Sequence, residues 1–337
     1  MNTKIEKISE ESVAKAAEIL RGGEVVAIPT ETVYGLGGNA FDDQAVKRIF
    51  AVKGRPSDNP LIAHIHTGYD LSKIIDYDPP CGALLRSAFL PGPLTIVYPS
   101  TNKVSPFVSC GLNTLAVRVP SHTGAQALLK AVDIPVVAPS ANLSKHVSPT
   151  SAAHVYDDFA GKIPLILDGG EAVGGIESTV LDISGEIPVI LRPGLVTKEQ
   201  IEAVLGYEIG VMGEPTKGEK VKSPGVLYKH YSPRCQTALY FDKERAIERV
   251  KSERENGVTV AVLVEEELVE EFEQVGAKVI SLGKTPEEMA ARLYAGLREA
   301  EQVCNLLIAV EPKEKTGVMV GVLNRLKKAC TSTDIAH

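Results

Sequence analysis

The 337-residue sequence is short of the features that mark several large protein classes. Its apolar runs are brief, and none approaches the roughly 20 residues needed to cross a bilayer. The N-terminal Met-Asn-Thr-Lys-Ile-Glu-Lys leads into charged sequence. The expectation is therefore a cytoplasmic protein with neither a membrane span nor a secretory signal. Five cysteines, Cys81, Cys110, Cys235, Cys304 and Cys330, are odd in number, scattered, and without paired redox or zinc spacing. That excludes a disulfide framework and argues against structural zinc. Aromatic residues make up only 5% of the chain and the net charge is −7, which speaks against a broad basic or stacking surface for nucleic acid. Also missing are G-x-x-x-x-G-K-[ST] and a G-x-G-x-x-G after a strand, Gly35-Leu-Gly37-Gly38 having the wrong spacing. Without H-E-x-x-H or G-x-S-x-G, a zincin and an α/β-hydrolase are excluded.

What is present is the composition of a globular protein, 44% hydrophobic and 23% charged, at a length that favours two domains. Ser9 to Leu20 has the stripe of an amphipathic helix, stopped by Gly22-Gly23. Glu24 to Ile28 reads as a strand, and Pro29 to Gly38 as a loop. Further strands fit Leu61 to His66, Leu94 to Tyr98, Thr114 to Val119, Val136 to Ala138, Leu165 to Asp168, Ser178 to Ile183 and Val189 to Leu191. Helices fit Gln44 to Val52, Gly82 to Phe89, Gly124 to Ala131, Ala152 to Phe159 and Lys198 to Leu205. This mixture lacks strict βαβ alternation, so the fold class predicted for residues 1–206 is α/β with a mixed, twisted open sheet. Residues 207–234, rich in Gly and Pro, read as a linker. From 235 to 337 strands and helices alternate cleanly, as in a smaller Rossmann-like α/β domain.

Two polar segments stand between apolar runs: Lys53-Gly-Arg55-Pro-Ser-Asp-Asn59-Pro and Ser140-Ala-Asn142-Leu-Ser. Polar side chains at strand and helix ends are where open α/β sheets bind ligands. The cations and amides of these segments suit a polyanion. Gly-Arg-Pro is equally a helix stop, and Ser-Ala-Asn a turn. Arg118 lies in the apolar run Leu115-Ala-Val-Arg-Val119 and Arg192 precedes Pro193-Gly194. A guanidinium there is costly to bury unless it meets an anion or a structural carboxylate. With Lys53 and Arg55 these two would give one cavity four cations. Thr30, Thr32, Tyr34 and Ser178 are further strand-end candidates. His64 and His66, at i and i+2, have possible metal spacing, although a wet sheet face accounts for them better.

At these residues the chain resembles the threonylcarbamoyl-AMP synthase family in its two-domain form, with a YrdC-type catalytic domain. The resemblance rests on Pro29-Thr-Glu-Thr-Val-Tyr-Gly-Leu, Lys53-Gly-Arg-Pro with Asn59-Pro-Leu, Pro91-Gly-Pro-Leu-Thr, Arg118-Val-Pro, Ser140-Ala-Asn, Ser148-Pro-Thr, Ser178-Thr-Val-Leu-Asp, Leu191-Arg-Pro-Gly, and Ser223-Pro-Gly with Tyr228-Lys-His-Tyr. Lys145 stands where the family usually has Gly. The resemblance implies that L-threonine, bicarbonate and ATP react to give threonylcarbamoyl-AMP and diphosphate. It places Thr32, His64, Arg118, Ser178 and the backbone of Ala138 around threonine. It places Arg55, Asn59, Thr114, Ser140, Ser148, Arg192 and Tyr231 around ATP, with Lys53, Arg55, Ser140 and Asn142 as the catalytic set. Mg²⁺ would arrive with ATP. The product would pass to the tRNA threonylcarbamoyl transferase machinery, and the linker would fold over the active site. Two other readings are a module binding double-stranded RNA, disfavoured by charge and aromatic content, and an enzyme activating carbamoyl phosphate, whose extra segments are missing. Direct tRNA binding is left open.

Overall fold

The computed structural model describes residues 2–57, 59–213, 231–330 and 332–333. The described residues form two units. The first takes in the chain to Ser144, 149–173 and 177–213, and the second takes in 145–148, 174–176 and the chain from Tyr231. Most of the expected linker, 214–230 with Tyr228 and His230, lies outside the described residues. So does its expected course over a site.

In chain order the first unit contains β1 (Lys4–Lys7), α1 (Glu10–Arg21), β2 (Val26–Ile28), β3 (Gly35–Asn39), α2 (Asp43–Lys53), β4 (Ile62–His64), α3 (Pro80–Phe89), β5 (Leu94–Pro99), α4 (Pro106–Ser109), β6 (Thr114–Arg118), α5 (Thr123–Val132), β7 (Val136–Val137), α6 (Ala152–Phe159), β8 (Leu165–Asp168), β9 (Thr179–Asp182), β10 (Val189–Arg192), α7 (Lys198–Leu205) and β11 (Gly210–Val211). The strands make one mixed sheet of order β1-β8-β2-β3-β7-β4-β6-β5-β9-β10-β11. Residues 35–39 are thus a strand, paired antiparallel to β2 and β7, where the sequence reading expected loop. Three glycines in five residues give it little intrinsic strand preference, and two strand neighbours override that.

The two faces of this sheet differ. On one, Ala63, Leu94, Ile96, Val117, Leu181 and Ile190 join the main hydrophobic core. On the other, Val13, Ala16, Ala17 and Leu20 of α1 meet Leu128, Leu129 and Val132 of α5 over Val26, Ile28, Val136, Leu165 and Leu167. The amphipathic stripe of α1 follows from the spacing of those four residues. Ser9 closes its N-terminus with a capping box to Ser12. Fully burying a Leu such as Leu20 contributes about 1.5–3 kcal/mol. Farther along this second face, the cluster Ile62, Val97, Ala116, Val180 and Leu191 draws only on strand residues.

Two glycines have steric reasons. Gly54 ends α2 with φ +59, its N–H and that of Arg55 bonding to Ala51 O and Phe50 O, so the helix stop read from Gly-Arg-Pro is real. Gly194 lies against the Ser178 strand end, where an added Cβ would stand 2.4 Å from Thr179 N and 2.6 Å from Glu177 O.

The second unit carries β12 (Gln236–Tyr240), α8 (Lys243–Glu255), β13 (Val260–Val264), α9 (Val269–Gln274), β14 (Lys278–Ser281), α10 (Pro286–Val303), β15 (Leu306–Val310), α11 (Val318–Ala329) and β16 (Ser332–Thr333). Its five strands are all parallel, in the order β14-β13-β15-β12-β16, the smaller α/β array expected from the alternating pattern. The segment 145–148 is bound within this unit. Arg298 of α10 donates to Val147 O at 2.6 Å, Ser232 N to Lys145 O at 3.0 Å, and His146 Nε2 lies 2.9 Å from Glu301 Oε2. Lys145 adopts φ +72, the left-handed conformation a glycine would take there at less cost.

Gly194→Ala should overpack backbone against backbone, costing about 1–3 kcal/mol. Differential scanning calorimetry should show Tm lowered by roughly 2–12 °C. An unchanged Tm would mean the contact relaxes freely.

Candidate functional site

Strand register sets the first part of the site. Residues directly paired across strands project to one face. His64 pairs with Val136 on one side and Arg118 on the other. Ile96 pairs with Val117, so Thr95 falls beside Arg118, and Thr95 in turn pairs with Val180 and Val180 with Arg192. The register shift between Ile190 and Arg192 turns Leu191 and Arg192 toward the same side. His64, Arg118, Thr95 and Arg192 therefore lie in one row across five strands, with Val180 of β9 between Thr95 and Arg192, on the face where the strand-only cluster lies.

Side-chain bonds knit the row together. Arg118 donates through Nη1 to Thr32 Oγ1 at 2.8 Å and through Nε to Gly92 O at 3.3 Å, and its Nη2 lies 2.7 Å from Glu31 Oε1. Arg192 donates to Ser178 O at 3.0 Å through Nη2 and at 3.2 Å through Nε, and Ser178 Oγ is 2.8 Å from Thr95 Oγ1. Thr32, Arg118, Ser178 and His64 are all buried. The loop that brings Glu31 and Thr32 in is held by Thr30 Oγ1 donating to Val33 O at 2.7 Å and Tyr34 Oη donating to Gly170 O at 2.6 Å. Arg118 is thus no bare cation: a buried carboxylate already stands on it, because a lone guanidinium there would be too costly to desolvate.

Electrostatics set the charge states of Glu31 and His64. Burial would push the Glu31 carboxyl up, but the charge and hydrogen bonding of Arg118, with the amides of Glu31 and Ser121, hold it below the usual carboxylate value. Burial, with Arg118 next to it, pulls the His64 imidazole down to about 3, so it stays neutral at physiological pH. The reading of His64 and His66 as one wet strand face is corrected here. β4 ends at His64, which is buried, while His66 lies beyond the strand with Nε2 2.9 Å from Asp133 Oδ1.

The second part of the site is the loop 139–144. Leu36 N donates to Pro139 O at 2.7 Å and Ala141 N to Tyr34 O at 2.8 Å, and Ser140 forms an isolated bridge with Gly35. Lys53, in the last turn of α2, donates through Nζ to Ser140 O and, at 2.6 Å, to Asn142 O, while Ser144 N donates back to Lys53 O at 2.8 Å. The two polar segments picked out from sequence are thus joined through one ammonium. Burial, with Arg55 close by, holds that ammonium well below the usual lysine value. Arg55 donates through Nη2 to Asn59 O at 3.2 Å. Asn59 is buried, and its Oδ1 has no hydrogen-bond partner among the described residues.

Of the remaining candidates, Ala138 donates its N–H to Ile62 O at 3.1 Å, beside the His64 strand. Thr114 begins β6, at the other end from Arg118 and about 13 Å away at strand rise. Ser148 and Tyr231 belong to the second unit, where the Tyr231 ring packs on Tyr294 at 5.2 Å. Sequence reasoning passed over Glu31 and Thr95. The available signal for Glu31 was an acidic side chain in a short loop between buried strands. For Thr95 it was a hydroxyl in an otherwise apolar strand.

The His64 environment predicts acid sensitivity. An unfolded chain protonates this histidine near 6.5, whereas the folded chain resists until about pH 3. The unfolded state therefore binds more protons in between, and stability falls as pH drops from 6.5 toward 3, by up to about 1.4 kcal/mol per unit from this group. Urea unfolding between pH 6.5 and 5 should show that slope, reduced in His64→Gln. An identical slope in the variant would contradict the neutral assignment.

Comparison with known proteins gives consistent results along the whole chain. A family model described as telomere recombination matches residues 18–194, and one described as threonylcarbamoyl-AMP synthase, C-terminal domain, matches 196–331. The chain is 41% identical to the threonylcarbamoyl-AMP synthase of Pyrococcus abyssi, over 96% of this chain and 95% of that protein. It is 43% identical to that of Bacillus subtilis, over 95% and 93%. The crystal structure of P. abyssi Sua5 complexed with L-threonine superposes with a TM-score of 0.90 at 39% identity, covering 99% of both chains. With its mixed-sheet first unit, its smaller parallel α/β second unit and both family segments in order, the chain belongs to the two-domain threonylcarbamoyl-AMP synthase family.

Proposed function

We propose that the row His64, Arg118, Thr95, Arg192 and the loop 139–144 form the threonine and nucleotide sides of the pocket in which this enzyme makes threonylcarbamoyl-AMP. The observation that carries this division is the buried Arg118, hydrogen-bonded to Thr32 and followed along the row by the Arg192–Ser178 pair. Arg118 has a planar fork suited to the carboxylate of threonine. Thr32, Ser178 and the Ala138 backbone would orient its other polar groups, with neutral His64 alongside. Arg192 bonds to Ser178, so it would link the amino-acid side to the triphosphate side.

In this reading the threonine nitrogen and bicarbonate form a C–N bond with loss of water and a proton, and an oxygen of the resulting carbamate attacks the α-phosphorus of ATP. A new P–O bond forms, the bond to the β-phosphate oxygen breaks, and diphosphate leaves. Two anions approach and charge grows on the phosphoryl oxygens, so fixed donors are the main requirement. Arg55 and the Ser140 and Asn142 loop would supply them. Lys53 would act chiefly by holding that loop, since its resolved bonds go to backbone carbonyls. The buried Oδ1 of Asn59 suits a donor such as the adenine amino group. Thr114 completes the first unit's part of the proposed ATP set. Mg²⁺ would enter on the triphosphate, with phosphate and water oxygens as its main ligands. Among the described residues no group of three or more His, Cys, Asp or Glu is placed to hold a metal. The product would go to the tRNA threonylcarbamoyl transferase machinery. No helix among the described residues is long and apolar enough to cross a membrane.

Diphosphate release from ATP should require both threonine and bicarbonate, and Arg55→Ala should lower turnover roughly 10²–10³-fold with little change in Tm. Undiminished release without bicarbonate would overturn the reaction. An unfolded Arg55→Ala whose folded fraction stays fully active would overturn the role of Arg55.

A further inference from the structure

The Arg118–Glu31 pair holds more than a carboxylate site requires. Glu31 is 8% exposed and Arg118 3%, at a separation of 2.7 Å, and neither carboxylate oxygen of Glu31 meets strict hydrogen-bond geometry with a neighbour among the described residues. A buried guanidinium needs acceptors, but Thr32 Oγ1 and Gly92 O already supply neutral ones, so the cost of burial alone does not account for a carboxylate at this place. If Arg118 served only to attract an anion, an adjacent buried carboxylate would work against it. The two opposite charges side by side instead match a ligand that carries both charges on neighbouring atoms. A free α-amino acid is such a ligand, with its carboxylate and its ammonium on one carbon.

We propose that Glu31 is a specificity-determining residue that receives the α-ammonium of the incoming amino acid while Arg118 receives its carboxylate. This rests on the assignment of the Arg118 row to threonine. The carboxyl remains ionised near neutral pH because Arg118 offsets the effect of burial. Thr32 Oγ1, bonded to Arg118 Nη1, comes from the residue next to Glu31 and fixes the pair's orientation. Once the nitrogen is carboxylated its positive charge is gone, and Glu31 no longer favours the bound species. Recognition by charge is therefore confined to the free amino acid at entry. A 2-hydroxy acid of the same shape, which lacks the ammonium, is disfavoured by leaving Glu31 without its partner.

The test is titration calorimetry on the full chain with two probes, L-threonine and 2,3-dihydroxybutanoate of matching stereochemistry. The wild-type chain should prefer threonine. Glu31→Gln should weaken threonine binding about 10–100-fold, the range for a lost hydrogen bond to a charged group, and leave the hydroxy acid unchanged or tighter. The threonine KM should rise far more than kcat falls. Glu31→Asp, which keeps the charge on a shorter arm, should restore part of the preference and gives the same comparison if the Gln variant does not fold. Equal loss for both probes, or none for either, overturns the proposal. Arg118→Ala separates the two levels. If it leaves threonine binding intact, the row is not the threonine site. If it abolishes binding while Glu31→Gln keeps the preference, only the role of Glu31 fails.

Discussion

A guanidinium buried in a β-sheet constrains everything around it, and Arg118 is that constraint in the first unit. It occupies a strand whose alternate residues, Leu115 and Val117, lie in the main core. A register slip of one residue would send the charge into that core and the core residues into the site. Keeping the charge on the correct face requires three acceptors from two separate segments: Glu31 and Thr32 from the loop after β2, and Gly92 from the turn before β5. The loop positions, the pairing of β4, β5 and β6, and the neutrality of His64 all follow from satisfying one cation.

The Lys53 ammonium plays a parallel part on the other side. A single charge at the end of α2 is bonded to two carbonyls of a loop nearly ninety residues away in sequence. A loop carbonyl without a donor would be costly when buried. The ammonium therefore ties the helix terminus to the Ser140 turn, and the Gly54 cap sends Arg55 out of the helix at that point.

Most of the architecture is legible from sequence because it rests on local pattern. The α1 stripe, the glycine helix stops and the alternation of the second unit could all be read directly. β3 escaped because Gly35-Leu-Gly-Gly38 has no strand preference of its own and depends on β2 and β7. β1 escaped because Lys4–Lys7 is charged and partners β8 at a distance of some 160 residues. The site residues emerged as a resemblance and as polar segments among apolar ones. What pattern could not give was pairing. That Arg118 meets Glu31, or that Lys53 bonds to carbonyls, depends on contacts far apart in sequence, and Glu31 was invisible as a partner until the row was assembled.

The segment 145–148 belongs to the second unit although it is synthesised with the first. His146 and Val147 meet Glu301 and Arg298, which lie 155 and 151 residues later. At ribosomal elongation rates, those partners follow roughly 8–30 s behind. During that interval the nascent chain must carry a stretch that the completed protein buries, with a left-handed lysine at its head. The order of translation thus makes completion of this segment one of the last events in maturation, even though it precedes the second sheet by some ninety residues.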